Sequence, residues 1–481
     1  MSQVVLVYDD TVEVSPKNRT IIGQRTYGDM VVRRESMFGR LKRLVKEGDE
    51  DIKIHKISQK KHFYEINYPK DTIFFHLLSN SAICLEEDFK YFLQKLSFIK
   101  SRATLSDKSG KIYGAVFSKR DEYFDFLEEY VNQGNLNFLK TDTIETNMFV
   151  DLSTYETLIT YISSGFDARY FNSLQGDNFT VTKKSTDGKK IAAEYQYYWL
   201  LPEHMKSFMV MPYDFKTYAD GSASYTMERM PMTDIAIRWT HGAVDTEEFK
   251  KILERVFFFI NTRDKKAITS ASYKENADKL YLKKVDDRVK TLKKLPEFSK
   301  IESLISSGTN FNSIDEIIEK YKKLYAEITK KHKNKNYYSV IGHGDVFFAN
   351  MLYSKELNLL RLIDPKGATT TDGLYMDPYY DVAKLSHSIC GNYDFFNVGG
   401  YDIKLDSSMQ FNLSIHFDNT KYVEIFKEYL ETFGFDFSLV RLYEASLFLS
   451  MLPLHMDNPY KVFGFIMNAI KILEEIETCT K

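Results

Sequence analysis

Three polar residues at fixed intervals carry the clearest chemistry in this chain. Asp345 stands in the run Gly342-His343-Gly344-Asp345-Val346-Phe347-Phe348-Ala349-Asn350, five residues ahead of Asn350. Asp364 follows fourteen residues later, closing the apolar run Leu362-Ile363-Asp364. Transfer of the terminal phosphoryl group of ATP to a hydroxyl needs few protein groups. One carboxylate takes or orients the acceptor proton, and an amide oxygen and a second carboxylate hold magnesium against the phosphates. A loop with Asp and Asn, then an apolar strand delivering another Asp, supplies those groups in chain order. An Asp-x-x-x-x-Asn pair standing alone is more often a set of loop residues capping backbone groups. Here apolar segments flank it, Val340-Ile341 before and Met351-Leu352-Tyr353 with residues 359–363 after.

These residues resemble the aminoglycoside phosphotransferase and choline kinase family, which shares the protein-kinase-like fold. That family carries His-Gly-Asp, Asn five residues beyond the Asp, then Ile-Asp, then Asp-x-Ala. The counterparts here are His343-Gly344-Asp345, Asn350, Ile363-Asp364 and Asp381-Val382-Ala383. The resemblance implies that Asp345 is the catalytic base, that Asn350 and Asp364 are magnesium ligands, and that Asp381 braces the catalytic loop. Pro365-Lys366-Gly367 follows Asp364 where protein kinases have Phe-Gly. Magnesium binding survives that change; an activation switch of the protein-kinase kind does not carry over.

Other elements must place a nucleotide against these groups. The segment Phe179-Thr180-Val181-Thr182-Lys183-Lys184 alternates as a strand, and Gly188 marks a turn. A helix then opens near Lys190, with Glu194, Tyr198 and Leu201 at helical spacing. A strand lysine paired with a glutamate on the next helix is how this fold positions ATP phosphates. Lys183 and Glu194 are therefore the candidates, with Lys183 preferred to Lys184 because it shares a strand face with Val181 and Phe179. Residues 225–230 read as a second strand before Pro231, and by resemblance this is the hinge that bonds adenine, at Glu228 and Met230. No Gly-x-Gly-x-x-Gly loop precedes Lys183; only Gly176 lies close.

From residue 245 the pattern turns helical. Ser313-Ile314-Asp315-Glu316 has capping-box spacing and opens a helix with Ile317, Tyr321, Leu324 and Ile328 on one face. Segments 420–433 and 459–477 are also helical, the first stopping at Gly434 and the second opening on Pro459. The acceptor side is expected among these helices. Pro453 breaks one of them and presents His455 and Asp457, which serve a polyol or simply tip a packed kink. Lys366 and Asp372, after the metal strand, are further candidates for contact with acceptor or phosphate.

The first 160 residues alternate strands (4–7, 73–78, 111–117) with helices (35–48, 86–96, 121–130), which predicts an open α/β sheet. This order, and the closing segment 147–158, resemble sugar-nucleotidyltransferases, where an Asp-x-Thr segment leads into a helix. The early Gly-rich, Arg-containing loop of that family is missing, and Tyr8-Asp9-Asp10-Thr11 stands in its place. No active site is assigned there; Arg25 and Asp29 are the first positions to test. The expected architecture is an α/β nucleotidyltransferase-like domain over 1–160, its own chemistry retained or lost, followed by an α+β protein-kinase-like bilobal domain over 161–481. Its small lobe covers 165–240 and its helical lobe 241–481.

Composition narrows the partners. A net charge of −2 over 481 residues gives no overall electrostatic case for nucleic acid or an anionic membrane. The lysines at 320, 322, 323, 330, 331, 333 and 335 read as the solvated face of a helix. Cys84, Cys390 and Cys479 are isolated, which excludes a disulfide framework and argues against a cysteine zinc site. The start lacks a basic leader, and no segment presents the roughly 18 apolar residues of a membrane span. A cytoplasmic protein is expected. Most of the aromatic residues, 15% of the chain, read as core.

The expected function is ATP- and magnesium-dependent phosphorylation of a hydroxyl on a small molecule (a sugar, polyol or choline-like alcohol), in the making of capsular or cell-surface polysaccharide. Two other readings stand beside it: a nucleotide-binding pseudokinase or scaffold, and an enzyme inactivating an antibiotic by phosphorylation. A polycationic drug would need acidic residues such as Asp394, Asp402, Asp406 and Asp418. Oligomeric state is not fixed by the sequence.

Overall fold

A computed structural model describes residues 3–32, 34–164, 172–176, 179–332 and 337–480. Lys333 and Lys335 lie outside the described residues. The chain divides into two compact units, one of residues 1–167 with 241–243 and the other of 168–240 with 244–481.

The first unit is organised on strand β1 (Val4–Asp9), all six residues of which are buried. Its unbroken apolar run suits a strand covered on both faces. Strands β2 (Lys53–Ile57) and β3 (Ile73–Leu78) flank it in parallel. With β4 (Ala103–Ser106), β5 (Ile112–Phe117) and β6 (Asp142–Glu145) they form one sheet in the order β2-β1-β3-β5-β4-β6. Leu6 and Tyr8 enter the apolar cluster on one face, with Phe75 and Phe89. Val5 and Val7 enter the other, with Phe74 and Tyr123, as the two-residue period of a strand requires. Helices α1 (Met37–Gly48), α2 (Glu86–Lys95) and α3 (Arg120–Gln133) supply the covering side chains.

Strand β5 runs antiparallel to both neighbours, so the sheet is mixed. The link from β4 to β5 is a tight turn through Gly110 at φ +85°, far too short for the crossover that a parallel pair needs. Two other departures from the sequence pattern have local causes. Glu35-Ser36 pairs with Val31-Val32 instead of opening the helix, and the Ser36 hydroxyl caps α1 by accepting from Gly39 N at 3.0 Å. Residues 241–243, placed by sequence at the head of the helical lobe, group with this unit. His241 Nε2 accepts from Val31 N at 3.1 Å, and a Cβ on Gly23 would meet the His241 carbonyl at 2.9 Å.

The second unit has a small lobe built on a sheet and a larger helical one. In the small lobe, strands β7 (Asn172–Gly176), β8 (Thr180–Ser185), β9 (Pro212–Thr217) and β10 (Ala223–Glu228) form an antiparallel sheet in the order β7-β8-β10-β9. Gly188, expected in a turn, is the first residue of α4 (Gly188–Leu200), whose N-cap is Asp187 accepting from Lys190 N at 3.0 Å. Glycine is required there because a Cβ would lie 2.3 Å from the Gly221 carbonyl.

The helical lobe includes α5 (Thr246–Thr262), α6 (Lys284–Leu292), α7 (Ile314–Lys331), α8 (Tyr380–Ile389), α9 (Thr420–Thr432), α10 (Phe437–Met451) and α11 (Pro459–Thr480). The capping box of α7 forms by half. Ser313 accepts from Glu316 N at 3.3 Å, but the Glu316 carboxylate turns to Asn312 N at 2.7 Å. Contrary to the sequence expectation, Phe437–His455 is long and apolar enough by length and composition to cross a membrane, with a mean hydropathy of 1.3. Within the unit 78% of that window is buried, the condition of a core helix.

Candidate active site

Lys183 projects from β8 and is 2% exposed, so its charge needs partners. It has two. Its Nζ lies 2.7 Å from Glu194 Oε2 on α4 and 2.9 Å from Asp364 Oδ1 beyond β13 (Leu359–Leu362). Burial opposes the charge on Lys183, but the Asp364 and Glu194 carboxylates outweigh it and hold the ammonium above its usual range. Burial also pushes the Glu194 carboxyl up, against the pull of Lys183. Tyr225 on β10 donates its hydroxyl to Glu194 Oε2 at 3.3 Å. Lys184, the competing lysine, stands instead 4.0 Å from the centre of the Tyr218 ring, a cation–π contact.

Asp364 adopts φ +57°, a left-handed conformation uncommon outside glycine. The segment after it turns back on α4. Ala368 N donates to Ala193 O at 3.0 Å, and Gly367, at φ +89°, leaves no room for a Cβ against Ala193 and Glu194. The Pro-Lys-Gly form that replaces Phe-Gly is therefore a packing device between the Asp364 turn and the helix carrying Glu194.

The His343-Gly344-Asp345 loop follows β11 (Tyr338–Ile341) and is held from below by Asp381 at the start of α8. Asp381 accepts from His343 N at 3.1 Å and from Gly344 N at 2.7 Å. Arg263, just beyond α5, meets the same carboxylate at 3.0 Å and donates to Pro378 O at 3.1 Å. His343 is fully buried, and burial holds its ring below the usual pKa, so it is neutral. Its Nδ1 accepts from Asp345 N at 3.3 Å, which leaves the ring proton on Nε2. Tyr197 of α4 completes the frame by donating to Gly342 O at 3.1 Å.

Asn350, before β12 (Met351–Ser354), donates through Nδ2 to Asp345 O at 3.0 Å and to Asp345 Oδ2 at 3.2 Å. Its backbone oxygen accepts from Ile363 N at 3.0 Å, which ties the His-Gly-Asp loop to the Asp364 strand. Asp345 Oδ1 is met by Lys384 of α8 at 2.9 Å. Burial opposes the charge on Lys384, yet Asp345 and Tyr380 hold its ammonium above the usual range.

Of the residues named from sequence, Lys183, Glu194 and Asp364 thus meet in one cluster, and Asp345 and Asn350 in a second joined to it through Ile363. Glu228 ends β10 opposite Thr180, three residues along from Tyr225, which faces Lys183, and Met230 lies two residues on. Asp372 is exposed and paired with Lys266 at 2.8 Å. His455 packs edge-on against Phe465. In the first unit, Arg25 donates to Asp29 O at 3.3 Å and Asp29 pairs with Lys56 at 2.6 Å. Of the acidic residues weighed for a polycation, Asp394 is buried and the other three are engaged singly. Asp402 pairs with His416 at 3.0 Å, Asp406 holds its own turn, and Asp418 accepts from Thr420 N at 3.0 Å.

Sequence reasoning missed Lys384 and Arg263, and the contact that Gly367 makes with α4. Lys384 left a signal, because three residues beyond Asp381 on a helix is the same face. Arg263 left none, being 118 residues from the carboxylate it neutralises.

The donor set fits magnesium. Asp364 and Asn350 offer a carboxylate and an amide oxygen, the hard donors this cation takes. With Nδ2 committed to Asp345, the Asn350 oxygen is the end of the amide turned from that loop.

Residues 254–364, which contain Asp345, Asn350 and Asp364, match the ecdysteroid kinase-like family. Among solved structures, a glucosamine kinase is similar at 14% identity over 67% of this chain and 85% of its own, with a TM-score of 0.39. An aminoglycoside phosphotransferase solved with GDP and kanamycin is similar at 12% identity over 66% and 92%, with a TM-score of 0.37. Another, from Streptomyces rimosus and solved with ADP and streptomycin, is similar at 14% over 58% and 88%, with a TM-score of 0.35. No curated protein matches the chain.

Proposed function

We propose that this chain is an ATP- and magnesium-dependent phosphotransferase that phosphorylates a hydroxyl of a small molecule. The observation that carries the reading is Lys183, buried and placed between Glu194 at 2.7 Å and Asp364 at 2.9 Å. A nucleotide site needs this pairing of strand lysine and helix glutamate beside a metal carboxylate. Lys183 and Glu194 serve the phosphates, the strand end at Glu228 and Met230 serves adenine, and Asn350 and Asp364 hold magnesium. Magnesium, when bound, bridges the phosphates and offsets the charge that develops on them. The acceptor oxygen attacks the terminal phosphorus, the bond from phosphorus to the oxygen of the ADP leaving group breaks, and the acceptor proton goes to the Asp345 carboxylate. Asp381 and Arg263 position that carboxylate through the loop backbone.

Read with a nucleotidyltransferase-like first unit, the activity belongs to the making of capsular or cell-surface building blocks in the cytoplasm. Cys84 and Cys390 are free thiols, as a reducing compartment keeps them. The test is ADP release by the purified chain with magnesium, ATP and a panel of alcohols. Acceptor-dependent release supports the reading. Binding of ATP without turnover of any alcohol would favour the pseudokinase instead.

A further inference from the structure

The face of the site beside Asp345 is basic. Lys384 lies 2.9 Å from Asp345 Oδ1. Its neighbour on α8, Tyr380, is 2% exposed, and two more lysines converge on its ring from other segments. Lys284, the first residue of α6, donates to the Tyr380 hydroxyl at 3.1 Å, and Lys366, two residues past Asp364, stands 5.5 Å from the ring centre. Among the described residues neither Lys284 nor Lys366 has a carboxylate partner. Burial alone would push the Tyr380 phenol up, but Lys384, Lys284 and Lys366 together bring it below its usual value.

Three ammonium groups around one buried aromatic ring repel one another. The arrangement is stabilised when an anion enters it. Only Lys384 has its charge met, by the carboxylate assigned as base. Of the acidic residues weighed for a cationic acceptor, Asp402 is engaged with His416 and Asp418 with Thr420, and Asp394 is buried, its carboxyl pushed up to about 7.

We infer that the acceptor is an anionic alcohol, carrying a phosphate or carboxylate group that Lys284 and Lys366 bind while its hydroxyl lies at Asp345. This rests on the phosphotransferase reading above and names the substrate class for it. The transfer is the one already written, with the anionic group unchanged and serving only to hold the molecule.

Two measurements test it on the full chain. The first is calorimetric titration of inorganic phosphate into protein saturated with magnesium and ADP, at matched ionic strength. Saturable binding is expected, weakened about tenfold or more in Lys284→Ala and in Lys366→Ala, as loss of a charged hydrogen bond implies, and kept in Lys284→Arg. Binding that is absent, or equal in the alanine variants, overturns the inference without touching the phosphotransferase reading. The second compares glucose, glucose 6-phosphate, glucuronate and glucosamine, with matched sets on other polyols, by ADP release. A higher kcat/KM for a phosphorylated or carboxylated acceptor than for its neutral parent is expected, and the two arms tell which anion is preferred. Lys284→Ala should raise KM for that acceptor while KM for ATP stays near its original value. Preference for the neutral or amino form overturns the inference and leaves the kinase. No release with any alcohol overturns both.

Discussion

Gly367 lies against the backbone of Glu194: a Cβ built on it would come within 2.8 Å of the Glu194 nitrogen. The turn that carries Asp364 and the helix that carries Glu194 therefore share one contact, made by a residue with no side chain. Lys183 spans the same two elements through its ammonium group. The geometry of the Lys183 cluster depends on both links.

Gly367→Ala is expected to break the first link. The residue sits at φ +89°, where an alanine costs on the order of 1–2 kcal/mol before any clash. The backbone of α4 cannot yield as a side chain would, so the Asp364 turn must move. Thermal unfolding should show the loss of stability, and KM for ATP should rise. A variant with wild-type stability and kinetics would remove this contact from the account.

Lys183→Met is expected to break the second. Glu194 is left with only the more exposed Lys190, at 3.6 Å, and losing the buried partner of such a pair costs up to about 3–5 kcal/mol. Adding Glu194→Leu should restore part of the stability and none of the turnover. Denaturant unfolding and ADP release on the two variants separate the structural role of the pair from its chemical one. Recovery of turnover in the double variant would contradict the role given to Lys183.

The contribution of two desolvated carboxyls, Asp234 and Asp394, to stability should fall as pH rises from acid to neutral. Burial pushes Asp234 and Asp394 each up to about 7. A folded value above the ordinary one means that both groups favour the fold fully below about 4 and lose that contribution as pH passes about 7. Asp394→Asn removes the ionisable group and keeps its shape. Its unfolding midpoint should match the wild type near pH 4.5 and exceed it at pH 8 by about 2–4 °C or more. An equal or lower midpoint at pH 8 would show that Asp394 is not held neutral by its surroundings.

How much of this was legible follows from where the information lies. Asp345, Asn350, Asp364 and Asp381 fall within 37 residues between Gly344 and its anchor, so spacing alone brought them together on the page as in space. Lys183 and Glu194 are 11 residues apart, again within reach of a strand-and-helix pattern. Arg263, just past the end of α5, and Lys284, at the start of α6, are far along the chain, and no local pattern pairs them with Asp381 or Tyr380. In the first unit the apolar strands at residues 4, 73 and 112 were plain. Strand Lys53–Ile57 mixes lysine and histidine with two isoleucines and lies at the sheet edge, and Asp142–Glu145 is a polar edge strand, so neither has the apolar signature of a core strand. The antiparallel course of β5 was decided by the length of its turn, a feature that alternation of strands and helices does not encode.

The most direct measurement follows phosphoryl transfer itself in wild type and in Asp345→Asn, by phosphorus NMR with magnesium, ATP and an accepted alcohol. The substitution is isosteric and leaves the Asp381 and Arg263 anchor in place, so nucleotide binding should persist. Formation of the phosphorylated product should fall by about 10²–10⁴-fold, the usual contribution of a positioned general base. Product formation at the wild-type rate in Asp345→Asn, with ATP bound equally well, would contradict the account.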